Sequence, residues 1–285
     1  MREAAESTLC IGGARLTFVG CQSNALPPAF AAFAVEDTAP SHARFTVTTG
    51  ACAKSTQAPL AATDVWRLAD CGERLHFSAG AALADRPMLS AELAPDWSSG
   101  TLCIDPAAPA LTRLAPVTSH FGELAALVHL NAHGACYVHA AAVEWQRQAY
   151  VLLGASGAGK STLACLAEAH GATVLSDDRT VLRIEDEQVF AYGTPFHGTA
   201  ARWAARRVPV RGLYFLAHGP RTEEHELPRR EAIGRLVSLC FTPFWSKSAV
   251  EAAVGNAAEL SRLVASSSFV FVPEPAAAST LLERR

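Results

Sequence analysis

A glycine-rich segment in the second half of the chain combines a lysine and a hydroxyl residue at a fixed spacing. Residues 154–161 read Gly-Ala-Ser-Gly-Ala-Gly-Lys-Ser, which is the complete G-x-x-x-x-G-K-[ST] pattern. Glycines let the backbone curl so that several N–H groups face one anion, and a helix N-terminus behind the loop adds further unpaired N–H groups. The pattern therefore predicts a binding loop for nucleotide phosphates, the phosphate loop. Its predicted contact residues are Gly154, Ala155, Ser156, Gly157, Ala158, Gly159, Lys160, Ser161 and Thr162.

The phosphate loop specifies a ligand more closely than it specifies a reaction. ATP is the expected nucleotide, and the same motif also serves GTP. Lys160 is expected to reach the β- and γ-phosphates, and the Ser161 hydroxyl is a ligand suited to Mg²⁺. ATPases, GTPases, transporters and kinases all use this motif. A glycine-rich turn that binds nothing is the structural alternative.

Two adjacent aspartates, Asp177 and Asp178, follow the strand that is predicted after the phosphate-loop helix. We expect this strand to run beside the strand that leads into the phosphate loop, which would place both carboxylates near the terminal phosphate. Phosphoryl transfer to a hydroxyl uses a carboxylate that holds Mg²⁺ and another that accepts the hydroxyl proton. The pair is predicted to divide these two tasks. The alternative is a solvated acidic turn.

Three segments of this region resemble the HPr kinase/phosphorylase family, whose members are distant relatives of phosphoenolpyruvate carboxykinase. The segments are Val138-His139-Ala140, the phosphate loop and Leu175-Ser176-Asp177-Asp178. The resemblance covers about residues 136–192 well and the rest loosely. The whole layout is more similar still to HPr-kinase-related proteins with a small N-terminal β module. Some of those phosphorylate a serine of ribosomally made precursor peptides, as in lasso-peptide-type pathways.

The family resemblance implies a role for each of the matching residues. Asp178 would be the general base toward the substrate serine, Asp177 would assist with Mg²⁺, and Ser161 would be a metal ligand. His139 would orient Asp178 or touch the phosphate. A single histidine in an apolar strand, taken alone, is more often a core residue.

The chain departs from true HPr kinases downstream of the aspartates. The family's glutamate in an Arg-Gly-Leu-Gly-rich signature has no counterpart, and Gly193–Gly198 stands in that region. This departure argues against HPr itself as the substrate. His197 is a candidate active-site residue or a turn histidine. Arg202 and Arg206 are candidates for binding a phosphate or a peptide carboxylate, or they form a solvated basic face.

The elements that must position these residues indicate an α/β fold. Strand Ala149–Leu153, the phosphate loop, a helix from Ser161 to Ala169 and strand Ala172–Ser176 form the unit that the loop requires. The prediction for residues 116–285 is a P-loop kinase domain with a mixed sheet and helices, like HPr kinase and phosphoenolpyruvate carboxykinase. Residues 1–115 contain closely spaced short strands between turn residues and predict a small, mainly antiparallel β domain for substrate or partner recognition.

Composition excludes several other classes of protein. The formal net charge of −3 provides no basic surface for nucleic acid. No apolar run reaches the roughly 20 residues that span a bilayer, and the N-terminus lacks the apolar core of a signal peptide. Eight cysteines without a C-x-x-C pair suit small buried residues in a reducing cytoplasm.

The residues together predict an ATP-dependent kinase that uses Mg²⁺ and phosphorylates a serine of a peptide or protein. A kinase for a small hydroxyl compound and a non-catalytic nucleotide-binding module are the alternatives. The expected partners are the acceptor substrate and, by family resemblance, further copies of the chain in a homo-oligomer.

Overall fold

The computed structural model of the chain describes residues 5–21, 23–80, 87–108 and 114–283. The chain forms two compact units. The first comprises Met1–His129 together with Pro243–Lys247, and the second comprises Leu130–Thr242 together with Ser248–Arg285.

The first unit is built on a large mixed sheet. Its described strands are β1 (Glu6–Ile11), β2 (Ala14–Val19), β3 (Ala34–Val35), β4 (Ala43–Thr49), β5 (Pro59–Ala62), β6 (Trp66–Asp70), β7 (Leu75–Ala79), β8 (Leu89–Leu93) and β9 (Ser99–Ile104). Their order is β3-β1-β2-β4-β9-β8-β7-β6-β5. Strand β4 pairs in parallel with both β2 and β9, whereas the other described pairs are antiparallel. The sheet is therefore mixed, and larger than a small antiparallel module.

The first unit extends further along the chain than the predicted division after residue 115. Short helices α1 (Pro28–Ala31) and α2 (Ala115–Thr118) precede α3 (His120–Ala132). Phe121 at the start of α3 is fully buried, and its ring centroid lies 5.0 Å from Phe45, 5.4 Å from Phe77 and 5.8 Å from Trp97. This aromatic packing attaches most of α3 to the first sheet and moves the division to His129.

A short segment from late in the chain also belongs to the first unit. Pro243–Lys247 is grouped with it, and the ring of Trp245 lies 6.1 Å from Trp66 and 6.3 Å from Trp97. The second compact unit is therefore interrupted rather than continuous over residues 116–285.

The second unit contains a second mixed sheet with helices. Its described strands are β10 (Ala135–Trp145), β11 (Gln148–Leu153), β12 (Thr173–Ser176), β13 (Arg179–Glu185), β14 (Gln188–Tyr192), β15 (Arg207–His218), β16 (Glu223–Glu226), β17 (Cys240–Phe241) and β18 (Ser266–Phe271). Its described helices are α4 (Lys160–Ala169), α5 (Arg229–Leu239), α6 (Lys247–Leu263, of which only Lys247 belongs to the first unit) and α7 (Pro275–Leu282). The main order is β11-β10-β13-β14-β15-β18-β16, with β12 and β17 beside β10 and a further pairing of β11 with β15.

Helices cover both faces of the second sheet. Successive side chains of β10 and β11 alternate between two hydrophobic clusters, as the period of two in a strand requires. Leu163 of α4 and Leu281 of α7 belong to one cluster. Leu236 of α5 and Leu260 of α6 belong to the other. Both strands that lead to the site are thus buried on two sides, which holds them rigidly.

The strand that carries the aspartates does not lie directly beside the strand of the phosphate loop. Strand β12 pairs with β10 and not with β11, so β10 lies between the two. Both neighbours are antiparallel to β10, with Leu153 opposite Ala140 and Ser176 opposite Ala142. The carboxyl ends of β11 and β12 therefore still reach the same edge of the sheet. The sequence prediction of direct adjacency was wrong because β10, a long strand with partners on both sides, occupies the intervening position.

No helix in the described ranges combines the length and apolar composition that crossing a membrane requires.

Candidate functional site

The phosphate loop connects the end of β11 to the start of α4. Gly157 and Gly159 have φ values of 83° and 93°, which side chains with a Cβ rarely adopt. A Cβ at position 159 would also lie 2.6 Å from Phe271 Cζ. Glycine is therefore required at position 159 by both conformation and space, and α4 begins immediately after it at Lys160.

Lys160 is almost completely buried and points back into the phosphate loop. Its Nζ donates hydrogen bonds to the carbonyl oxygens of Gly154, at 2.7 Å, and Ala155, at 3.1 Å. The same Nζ lies 3.0 Å from His139 Nε2. Burial, followed by the positive charge of Arg179, lowers the pKa of Lys160.

His139 connects Lys160 to Asp178. It lies on β10, and its Nδ1 is 3.2 Å from Asp178 Oδ1. Because an ammonium group only donates, Nε2 of His139 accepts from Lys160 and the ring proton lies on Nδ1, facing the carboxylate. Burial lowers the pKa of His139 to about 4, with smaller contributions from Lys160 and Arg179. His139 is thus a neutral imidazole at pH 7 that can orient Asp178.

The two aspartates have different surroundings. The Asp178 carboxylate contacts the His139 imidazole through Oδ1 and forms an ion pair with the guanidinium of Arg179 through Oδ2. Asp177 is buried, and its Oδ1 accepts a 2.8 Å hydrogen bond from the Gly198 N–H. Its Oδ2 is also buried, and no hydrogen-bond partner for it lies in the described part of the chain. Asp178 is therefore held by side chains, whereas Asp177 retains one buried oxygen without a donor.

A cavity of about 410 Å³ brings the predicted groups together. It lies entirely within the second unit. Its lining residues are His139, Ser156, Gly157, Gly159, Lys160, Ser161, Thr162, Asp177, Asp178, Gly198, Thr199 and His218. The remaining loop residues contribute in other ways: the carbonyls of Gly154 and Ala155 bind Lys160, and Ala158 packs against the core.

Three other predicted site residues lie outside the lining of this cavity. His197 is exposed and stacks on Trp203 with ring centroids 5.1 Å apart. Arg202 Nε donates to both carboxylate oxygens of Glu168, and Arg206 Nη2 donates to Glu144. Both arginines are exposed, and neither is part of the cavity lining. The structure does not bring these side chains to the phosphate loop, and their part in substrate binding stays a prediction.

Sequence reasoning missed Arg179, Thr199 and His218, which all belong to the site. Arg179 binds Asp178, and its guanidinium carbon lies 4.4 Å from the centre of the Phe241 ring. Its position directly after the aspartate pair was the available signal. His218 Nε2 lies 3.1 Å from the carbonyl oxygen of Gly157. No local motif marks His218, because only the pairing of β15 with β11 brings it to the loop.

Comparison with known proteins gives little family information. No protein-family model matches the chain, and no curated protein matches it. Among solved structures, the chain is similar to the HPr(Ser) kinase/phosphatase from Coxiella burnetii, with a TM-score of 0.31 and 12% sequence identity. The match covers 52% of this chain and 93% of that protein. This is a weak likeness to a kinase/phosphatase.

Proposed function

We propose that this protein is an ATP-dependent kinase that transfers the γ-phosphoryl group to a serine hydroxyl of a peptide or protein. The observation that carries the proposal is a cavity whose lining includes the phosphate loop, Lys160 and both aspartates. A phosphate-binding loop alone would suit many nucleotide-binding proteins. A histidine-oriented carboxylate in the same cavity is the additional group that transfer to a hydroxyl requires.

In the proposed reaction the serine oxygen attacks the γ-phosphorus of ATP, and the bond to the β,γ-bridging oxygen breaks. Asp178 accepts the hydroxyl proton, and ADP leaves with the bridging oxygen. Lys160 supplies positive charge beside the transferred group, and the N–H groups at the start of α4 bind phosphate oxygens. His139 keeps the Asp178 carboxylate oriented through its Nδ1 proton.

The residues fit Mg²⁺ as the accompanying metal. Asp177 Oδ2 is a buried carboxylate oxygen without a donor, and Ser161 lines the same cavity. Within the described residues, no cluster of three or more histidine, cysteine or acidic side chains could hold an ion alone. Mg²⁺ typically binds through one or two carboxylates together with substrate phosphates. Ser161 and Asp177 would hold the ion, which when bound neutralises charge on the phosphate oxygens.

The acceptor class is proposed from the motifs around His139, the phosphate loop and Asp177-Asp178, which resemble those of HPr-kinase-related peptide kinases. In the proposed reaction the acceptor hydroxyl has to come within hydrogen-bond distance of Asp178, which accepts its proton. Thr199 and Gly198 line the cavity beside the aspartates, so an incoming acceptor would meet the segment that carries them.

The test uses ATP labelled in the γ-phosphate, Mg²⁺ and a pool of peptides encoded near the gene for this protein. Mass spectrometry locates any added phosphoryl group. We expect label on a peptide serine with the unaltered protein. Asp178→Asn should retain ATP binding and lose at least about 100-fold in transfer rate, because a general base contributes roughly 10²–10⁴-fold.

Asp186→Asn is the matched control, because Asp186 is an exposed carboxylate in the turn between β13 and β14. It should transfer phosphate at the original rate. Transfer by Asp178→Asn at the control's rate would refute the role of Asp178. If label appears only on a small hydroxyl compound added to the same assay, that compound replaces the peptide as the proposed acceptor. ATP binding without any transfer would support a non-catalytic nucleotide-binding module.

A further inference from the structure

His218 is brought to the phosphate loop by a strand that is longer than its neighbour. Strand β15 pairs in parallel with β11 as far as Leu153, which lies opposite Phe215. It then continues through Leu216 and Ala217 to His218. On the other side His218 lies opposite Phe271 of β18, and Gly219 N–H donates to the Phe271 carbonyl at 3.3 Å. The sheet therefore fixes the backbone of His218 beyond the end of β11, at the level of the loop.

The imidazole of His218 contacts the peptide group between Gly157 and Ala158. Its Nε2 lies 3.1 Å from the Gly157 carbonyl oxygen. Because a carbonyl only accepts, Nε2 carries the proton and donates. The other end of this peptide, the Ala158 N–H, donates to the Ala155 carbonyl at 3.1 Å. Both polar groups of the peptide are therefore held within the protein.

The ring of His218 also fills space next to position 159 of the loop. A Cβ at position 159 would be 2.9 Å from His218 Cε1 and 2.6 Å from Phe271 Cζ, and the two ring centroids are 5.3 Å apart. His218 thus donates a hydrogen bond to Gly157, and its ring occupies space that a side chain at position 159 would need. These two features can be separated by substitution.

We propose that His218 is a positioning residue for the nucleotide, acting through its hydrogen bond to the phosphate loop. An anion in such a loop is bound by N–H groups, and a carbonyl oxygen turned toward it would repel it. The donor of His218 holds the Gly157 carbonyl toward the imidazole. The loop is thereby organised before the nucleotide arrives, which reduces the ordering cost of binding. This inference rests on the proposed nucleotide site and adds a residue that no sequence motif marks.

The experiment compares ATP affinities of the full chain by isothermal titration calorimetry in the presence of Mg²⁺. His218→Phe keeps a ring beside Gly159 and removes the donor. His218→Gln keeps an N–H donor of similar reach and removes the ring. We expect the Phe variant to bind ATP about five- to tenfold more weakly, the effect of one lost hydrogen bond, and the Gln variant to bind within about twofold of the original.

His225→Phe is the matched control, because His225 is an exposed histidine of β16 and lies outside the cavity lining. It should not change the affinity, and thermal unfolding without nucleotide checks that each variant folds. If His218→Phe binds ATP as tightly as the original, or if His218→Gln binds no better than His218→Phe, the proposed hydrogen-bond role is wrong. If the unaltered protein itself binds no ATP, the proposed nucleotide site fails, and this inference fails with it.

Discussion

At the scale of single residues, a chain of contacts runs from Lys160 through His139 to Asp178 and Arg179. The family resemblance implied that His139 orients Asp178 or touches the phosphate, and the 3.2 Å distance between His139 Nδ1 and Asp178 Oδ1 is compatible with the first of these roles. Arg179, which the sequence reading passed over, binds the second oxygen of the same carboxylate. Asp178 is thus held from two directions, which limits the number of orientations it must lose when an acceptor binds.

The pKa of His139 predicts how the stability of the protein changes with pH. Burial lowers this pKa from 6.5 to about 4 in the folded state, so between these values the unfolded chain binds more protons than the folded one. Above pH 6.5 the ionisation of His139 therefore does not reduce the free energy of unfolding. As the pH falls from 6.5 toward 4, this free energy of unfolding decreases. We expect His139 to account for about 2–3 kcal/mol of that decline.

Urea unfolding at pH 7 and pH 4.5 measures this contribution. His139→Gln removes the titrating group and should lose less stability between the two pH values than the original protein does. An equal decline in the original and in His139→Gln would show that His139 does not titrate between the folded and unfolded states as its burial requires.

At the scale of elements, the site depends on the connection between β11 and α4. Gly159 combines a φ of 93° with a space that Phe271 and His218 close. Gly159→Ala should therefore displace the loop or strain it by about 1–3 kcal/mol. We expect at least a tenfold loss of ATP affinity, roughly 1.4 kcal/mol, measured by calorimetric titration.

Gly255→Ala gives a matched comparison in helix α6. A Cβ at position 255 meets no atom within 4 Å, and alanine is about 1 kcal/mol better than glycine in a helix interior. This variant should be slightly more stable and should bind ATP unchanged. If Gly159→Ala binds ATP as well as Gly255→Ala does, the backbone of the loop is not the binding element.

At the scale of the whole molecule, the first compact unit buries a group of aromatic side chains. Phe121 is fully buried among aromatic rings of the first unit, whereas Phe244 of the same unit is 61% exposed. Phe121→Ala should lower the free energy of unfolding by about 3–5 kcal/mol. Phe244→Ala should change it by less than about 0.5 kcal/mol. Denaturant unfolding followed by circular dichroism measures both changes, and similar losses in the two variants would contradict the assignment of Phe121 to the core.

The domain division shows how tertiary packing overrides a local boundary signal. The sequence predicted the division after residue 115, where the segment of closely spaced short strands gives way to the predicted α/β domain. Aromatic packing of Phe121 moves the boundary to His129. The ring of Trp245 packs against Trp66 and Trp97, and the segment Pro243–Lys247 thereby belongs to the first unit. No local sequence pattern assigns this segment to that unit.

The sequence by itself determined the elements whose residues obey a local rule. Strand β11, the phosphate loop, helix α4 and strand β12 were predicted within about a residue because glycine conformation, helix initiation and alternating apolar side chains are properties of short segments. Only the tertiary structure decided that β10 separates β11 from β12, that Arg202 and Arg206 pair with Glu168 and Glu144, and that His218 reaches Gly157. These facts depend on strand order and strand length between segments far apart in the chain, which no local pattern specifies.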